Sequence, residues 1–273
     1  MKNRAIGIIG ASMLIFMILV AIFAPFLAPH SPHVQSGASF EKPSVEHVLG
    51  TNDIGQDIFS ELIYGTRNSL LVGGISAAIA TVIGVVVGVL SGWYGGAIDR
   101  VLMKITTFFM TIPFLPTVII LAAFTKSGIW SMSLILGVMS WTGIARILRS
   151  VTMKLRESTY IKISKSMGAG DLYIFRTYIL REIAPLVLYR VVIRVKSGIL
   201  AESSMSFLGL GSSVAKSWGS IIFYAQTKNA LLTGAWVWWI IPPGLCICLV
   251  SMGLMMVSYS LEKESDKRIG AGV

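Results

Sequence analysis

Six long apolar runs, separated by shorter polar segments, dominate the residue pattern of this chain. A helix needs about 20 mostly apolar residues to cross the hydrocarbon core of a bilayer, and each run is about that long. The pattern therefore predicts an all-α integral membrane protein with six transmembrane helices. Their approximate bounds are 7–28, 70–93, 101–125, 129–148, 184–208 and 236–260. The first run is longer than a usual signal-peptide core and no clear cleavage site follows it, so we read it as a retained helix.

The composition agrees with a membrane protein rather than a soluble one. Hydrophobic residues make up 54% of the 273 residues and charged residues only 13%, whereas soluble domains carry about 25% charged residues. The formal net charge of +10 does not indicate nucleic-acid binding, because the basic residues lie in short segments between apolar runs. Cys246 and Cys248 lie inside an apolar run, where we expect neither a disulfide nor a metal site.

The distribution of Lys and Arg predicts which side of the membrane each segment faces. These residues accumulate in cytoplasmic loops, and eight of them lie between residues 146 and 181, around the segment that joins the fourth and fifth runs. Others precede the first run and follow the sixth, whereas the first loop carries five acidic residues. With six helices, this asymmetry places both termini in the cytoplasm.

The fifth run is the least regular, because it contains charged residues. Arg190, Arg194 and Lys196 lie in its first half and Glu202 in its second. A charge at the middle of the bilayer costs about 2.5–3.5 kcal/mol on insertion scales. The long basic side chains can reach the interface, whereas Glu202 is expected to face the protein interior or a water-filled path. It is either a paired structural carboxylate or, with Ser203 and Ser206, part of a polar network along the pathway.

Small residues recur every four positions in the second run. They are Ser76, Ala80, Gly84, Gly88, Gly92 and Gly96. Residues four apart share one helix face, and small side chains let another helix approach closely. The register predicts a tight helix contact, with a partner helix in this chain or in another. Pro113 and Pro116, and Pro242 with Pro243, are expected to kink the third and sixth helices.

The sequence lacks the residue patterns of an enzyme. His30, His33 and His47 all lie in the first loop, and no HExxH or GxSxG motif occurs. The stretch "GLGSSVAKS" at 209–217 is the nearest approach to a phosphate-binding loop, but Ala215 stands where glycine must precede the lysine. We therefore expect no ATP binding by that route. An external metal site on the three histidines is less favoured than ordinary solvated loop residues.

The stretch "YIKISKSMGAGDLYIFRTYIL", at 160–180, is basic and amphipathic although its neighbours are apolar. Its glycines predict two short helices broken at Met167–Gly170, since glycine weakens helices and permits a positive φ at a helix end. Asp171 is expected to cap the second helix. The apolar face needs a surface to cover it. A groove on a soluble partner and a layer of anionic lipid both remain open.

Three stretches resemble the permease subunits of binding-protein-dependent ABC importers. The apolar-flanked order Gly-Ala-small-Asp at 168–171 looks like the cytoplasmic "EAA" loop of these permeases. "LGTNDIGQDIFSELIYGTRNSLLVGG" at 49–74, and "AESSMSFLGLG" at 201–211 followed by "SWGSII" at 217–222, look like segments of the peptide/nickel branch. The stretches occur in family order across nearly the whole chain, which is most similar to the second permease of the pair.

The resemblance implies a type I ABC importer permease fold in a bacterial or archaeal cell membrane. It implies that two different permeases form one pore, that two ATP-binding cassette subunits lie beneath it, and that an external solute-binding protein delivers the ligand. ATP and Mg are then expected in the ATPase subunits, and no cofactor in this chain. Residues 1–69 would form an N-terminal helix with an external loop, and 70–273 the transporter domain, with the coupling loop at about 150–182.

The same resemblance implies an ATPase-contacting site in the loop. Its expected residues are Tyr160, Lys162, Ser164, Lys165, Met167, Gly168, Ala169 and Asp171. The family usually has Glu-Ala-Ala where this chain has Lys162, Ile163 and Ser164, so one charge is reversed. Our hypothesis is that the ATPase groove has matching acidity. The expected ligand is a peptide, with nickel or a metal chelate as the alternative within the family. A stand-alone channel or carrier would not need this loop.

Overall fold

The computed structural model describes residues 2–212 and 215–270, and all regular structure within them is helical. The bounds of the helices, numbered in chain order, are as follows: α1 Lys2–Ile22, α2 Ala24–Leu27, α3 Ile58–Tyr94, α4 Gly96–Thr111, α5 Phe114–Phe124, α6 Ile129–Ser140, α7 Thr142–Arg156, α8 Thr159–Ser166, α9 Asp171–Ile174, α10 Leu180–Phe207, α11 Trp218–Thr227, α12 Ala230–Thr233, α13 Trp236–Trp239 and α14 Ile241–Gly270. One π-helical turn, Phe175–Ile179, connects α9 to α10.

Three helical segments are long and apolar enough to cross a membrane, and two bent helix pairs raise this number to as many as five. The single spans are Ala5–Ile22, Ile58–Tyr94 and Trp236–Glu262, and the pairs are α4 with α5 and α6 with α7. The predicted fifth span corresponds to α10, which has the length but carries four charged residues between 190 and 202. The six-span topology therefore stays a prediction.

The helix α3 organises the fold. Its 37 residues correspond to a length of about 55 Å, well beyond the thickness of the hydrocarbon core. It begins where the carboxylate of Asp57 accepts a hydrogen bond from the Ser60 N–H at 2.8 Å, earlier than the predicted start near residue 70. The suggested division between residues 69 and 70 therefore falls inside one continuous helix. Helices α6, α7 and α10 pack along α3.

At Gly84, Gly88 and Gly92 the small-residue face of α3 lies against α7 of the same chain. A methyl group on Gly88 would lie 2.6 Å from the carbonyl oxygen of Ala145, and one on Gly92 would lie 2.6 Å from that of Arg149. Gly84 is equally close to Ile144. Gly96 differs from the other three, because it follows the end of α3 and nothing lies within 4 Å of its missing methyl group.

The prolines act differently in the two predicted kinks. At Pro113 the helix is broken, and α4 and α5 meet at 87°. Pro242 and Pro243 instead occupy the first turn of α14, directly after the break at Ile240 that separates α13 from α14. Prolines suit this position because first-turn N–H groups have no partner within the helix, so that no hydrogen bond is lost. The kink expected there stays a prediction.

Candidate functional site

The predicted break in the 160–180 stretch is confirmed, and its geometry explains the glycine. α8 ends at Ser166 and α9 begins at Asp171. The N–H of Ala169 bonds the carbonyl of Ser164 at 3.0 Å, and the N–H of Gly168 bonds that of Lys165 at 3.0 Å. This pair of bonds is a Schellman motif, which requires a left-handed residue. Gly168 supplies it with a φ of +88°.

Asp171 does not cap α9, so that expectation is wrong. Gly170 occupies the cap position, so the start of α9 has no side-chain cap. Because the extended backbone continues to Gly170, Asp171 becomes the first helical residue. Its carboxylate instead lies 3.5 Å from Nζ of Lys165.

One side of the segment is fixed to the rest of the chain. Ile161 and Ile174 are fully buried in a cluster that includes Trp93, from the end of α3, and Leu148, from α7. The ring of Phe175 lies 5.1 Å from that of Trp93, and Nζ of Lys165 lies 4.5 Å from the centre of the Trp93 ring. Ala169 packs at the edge of the same cluster. The segment is therefore docked on the ends of α3 and α7.

The opposite side exposes apolar side chains. Met167 and Leu172 are each 82% exposed, and Ile163 is 53% exposed. Tyr160 is also exposed, with its ring 5.6 Å from that of Tyr178. We call Tyr160, Ile163, Met167 and Leu172 the apolar face. The described part of this chain leaves it uncovered, and contiguous exposed apolar surface of this kind marks interaction sites.

Polar contacts on the segment are made within the chain. Nζ of Lys162 lies 3.0 Å from Glu157 Oε2, and Arg156 lies 3.3 Å from the other oxygen of the same carboxylate. The hydrogen bond from Lys162, with a smaller contribution from Arg156, holds the pKa of the Glu157 carboxyl below its ordinary value. The hydroxyl of Ser164 donates to the carbonyl of Tyr160 at 2.8 Å. Lys162 thus has an acidic neighbour before any partner binds.

The predicted polar network on α10 is buried and lies away from this segment. Glu202, Ser203 and Ser206 are at most 7% exposed. The Ser206 hydroxyl donates to Glu202 Oε1 at 2.6 Å. The structure therefore places Glu202 in the interior, one of the two positions expected for it.

A second polar region surrounds the start of α3, and sequence reasoning missed it. Nζ of Lys216 donates to Glu61 and, at 2.7 Å, to Gln56 Oε1. The side-chain amide of Asn52 also donates to both groups, at 3.0 Å to Gln56 and at 2.7 Å to Glu61. We call Asn52, Gln56, Glu61 and Lys216 the polar cluster. Glu61 and Lys216 are 155 residues apart in the sequence. No local sequence pattern could therefore have revealed their pairing.

Of the three loop histidines, His33 is exposed as expected, whereas His47 is buried. His47 is only 2% exposed, and its Nδ1 lies 3.1 Å from Asp57 Oδ1. The ring of His30 lies 5.0 Å from that of His47. Asp57 also caps α3, so His47 helps to fix the start of that helix. Within the described residues, no three His, Cys, Asp or Glu side chains form a group that could hold a metal ion.

Comparison with known families gives two matches. Residues 84–270 match the family described as "binding-protein-dependent transport system inner membrane component". Residues 1–43 match "N-terminal TM domain of oligopeptide transport permease C".

Similar proteins are known from bacteria. The dipeptide transport system permease protein DppC of Bacillus subtilis is 32% identical over 98% of this chain and 84% of that protein. The oligopeptide transport system permease protein OppC of the same organism is 28% identical over 98% of this chain and 87% of that protein. The probable D,D-dipeptide transport system permease protein DdpC of Escherichia coli is 29% identical, over 99% of this chain and 90% of that protein.

A solved structure shares the fold. A chain of the inward-facing MetNI methionine ABC transporter superposes with a TM-score of 0.57 at 22% identity, covering 79% of this chain and 98% of that one. The family matches, the near-full-length relatives and the fold together show that this chain belongs to the binding-protein-dependent transport system inner membrane components, among the dipeptide and oligopeptide ABC permeases.

Proposed function

We propose that this chain forms half of the translocation pore of an ATP-driven peptide importer, and that the apolar face binds an ATPase subunit. The main supporting observation is that one side of the 160–180 segment packs against the rest of the chain while the opposite side is exposed. Ile161 and Ile174 hold the segment on α3 and α7, while Met167 and Leu172 remain exposed. A short helix with an exposed apolar face suits a groove on a partner protein.

The docking on α3 suggests how force is transmitted. A partner that moves α8 would push on Trp93 and Leu148, which are packed against it. Packed interiors transmit such displacements rather than absorb them. Because α3 is about 55 Å long, movement at its C-terminal end would reach the polar cluster at its other end. ATP binding and hydrolysis would take place, with Mg, in two ATPase subunits, and this chain would bind no cofactor.

Family membership supports a proposal for the rest of the assembly. We propose six membrane-spanning segments with both termini in the cytoplasm of a bacterial or archaeal cell, α10 being the fifth. A second, homologous permease would complete the pore within the membrane lipid, and an external solute-binding protein would deliver the ligand. The names of the relatives specify dipeptides, D,D-dipeptides and oligopeptides. They support a peptide ligand, and the nickel alternative is not favoured.

A copurification experiment tests the ATPase site. The variant carrying Met167→Glu and Leu172→Glu changes two exposed side chains and leaves the Schellman motif and the buried Ile161 intact. Leu232→Glu is the matched control, because Leu232 is 86% exposed on α12. We expect the ATPase subunit to copurify with the native chain and the control but not with the double variant. The second permease should remain in all three complexes.

Two results would contradict the proposal. If the ATPase subunit stays bound to the double variant, the apolar face is not its docking site and a lipid contact becomes the better explanation. If the native chain copurifies with no ATPase, the importer assignment itself fails.

A further inference from the structure

The carboxylate of Glu202 is buried without a balancing charge. The side chain is only 3% exposed, and it takes part in none of the ion pairs found among the described residues. Oε1 accepts the hydrogen bond from Ser206. Oε2 is shielded from solvent and has no hydrogen-bond partner in the described part of the chain. A buried ionised carboxylate with no counter-charge is costly.

A small cavity lies beside this carboxylate. Its wall is formed by α3, by the start of α6, by α10 and by the segment between α10 and α11. The lining includes the polar residues Asn68, Glu202, Ser206, Ser212 and Ser217. The space open to the centre of a water-sized sphere is about 10 Å³, about the minimum that admits one water molecule or one small ion.

The groups around the cavity offer oxygen atoms. The amide nitrogen of Asn68 is used in a 2.7 Å bond to the carbonyl of Lys216, which leaves its amide oxygen as an acceptor. Ser69, Ser203 and Ser217 lie close to the carboxylate, although none of them satisfies Oε2. Lys216, which lies between the lining residues Ala215 and Ser217, is bonded instead to Glu61 and Gln56. The site therefore combines one buried carboxyl group with several neutral oxygens.

We propose that this cavity binds one small monovalent cation of the sodium class, with Glu202 Oε2 as its charged ligand. Hard cations prefer carboxylate, carbonyl and hydroxyl oxygens. A monovalent ion fits better than calcium or magnesium, because Glu202 is the one acidic side chain among the described lining residues and balances a single positive charge. A bound ion would tie α3 and α10 to the segment that leads into α11. This site goes beyond the proposed peptide transport and does not depend on it.

Thermal unfolding of the purified complex tests the site. The complex is prepared without alkali ions and titrated with NaCl or KCl, while N-methylglucamine chloride keeps the ionic strength constant. A ligand that binds only the folded state raises the midpoint, and we expect Na⁺ to raise Tm by about 3 °C in a saturable manner. Glu202→Gln should abolish this rise. Glu262→Gln, a control at an exposed carboxylate that bonds Tyr189, should keep it.

If Glu202→Gln fails to fold, the binding of ²²Na⁺ to the native complex is measured directly, because this measurement does not need the variant. One saturable Na⁺ per chain supports the proposal. The absence of ²²Na⁺ binding together with identical Tm values in Na⁺ and N-methylglucamine overturns it, as does a Na⁺ effect that survives in a folded Glu202→Gln complex.

Discussion

The regions near the two ends of α3 depart in opposite ways from the usual rule that charged residues are exposed and apolar residues are buried. Near its N-terminal end, the charged pair Glu61 and Lys216 is buried, with side-chain exposures of 1% and 13%. Beyond its C-terminal end, Met167 and Leu172 are apolar and 82% exposed. Charged residues are rarely fully buried unless paired, and exposed apolar patches mark interaction sites.

The difference between these regions concerns where their partners lie. The polar cluster finds its hydrogen bonds inside the chain, so its contribution is to this chain's own fold. The apolar face has no cover within the described residues, so its contribution is expected only in a larger assembly. Substitutions at the first region should therefore change stability, and substitutions at the second should change binding.

The largest effect is expected at the polar cluster. Lys216→Met removes the counter-charge of Glu61 and leaves a buried carboxylate, which typically costs about 3–5 kcal/mol. The apparent Tm of the detergent-purified chain should fall strongly. Combining it with Glu61→Leu should recover much of the loss, because replacing both members of a buried pair is often neutral.

Lys228→Met is the matched control for that experiment. Lys228 lies 3.2 Å from Asp53 but is 49% exposed, so its loss should cost less than about 1 kcal/mol. Equal losses in Lys216→Met and Lys228→Met would show that the buried and exposed pairs do not differ.

A smaller effect is expected where α3 meets α7, because these two helices support the 160–180 segment. Gly88→Ala places a methyl group 2.6 Å from the carbonyl oxygen of Ala145, and such overpacking typically costs about 1–3 kcal/mol. Gly74→Ala, on the same helix, meets nothing within 4 Å and should stabilise the helix by up to about 1 kcal/mol. A lower Tm for the first variant and an unchanged or higher Tm for the second would confirm the contact. The reverse order would refute it.

The smallest effect on stability is expected at Lys162. Its pair with Glu157 is exposed on both sides, so Lys162→Glu should change the free energy of unfolding by less than about 1 kcal/mol. If the ATPase groove is acidic, the same change should lower transport-coupled ATPase activity several-fold while the complex still assembles. Unchanged coupled activity would rule out the charge-matching hypothesis.

A charge swap separates the two contacts available to Lys162. The double variant with Glu157→Lys and Lys162→Glu restores an ion pair within the chain but not a positive charge at position 162. Activity that remains low in the swap supports contact with an acidic groove, whereas recovered activity shows that the internal pair is what matters.

Much of the architecture could be predicted from residue patterns. The apolar runs anticipated α1, α3 and α14, and the glycines at 168 and 170 anticipated the break between α8 and α9. These predictions worked because helix formation and glycine turns depend on neighbours in sequence. The error at Asp171 arose at a helix boundary, because this residue missed the cap position by one residue.

The sequence by itself determined that this is a helical membrane protein with an amphipathic segment at 160–180, because burial in lipid and helix periodicity act on local runs of residues. Only the tertiary structure decided which members of that segment are covered. Ile161 is buried and Ile163 exposed, since Trp93 and Leu148 occupy one side of α8. It likewise decided that Lys216 pairs with Glu61 and that no cation among the described residues pairs with Glu202. Those outcomes depend on which distant helices meet, and that is settled by packing.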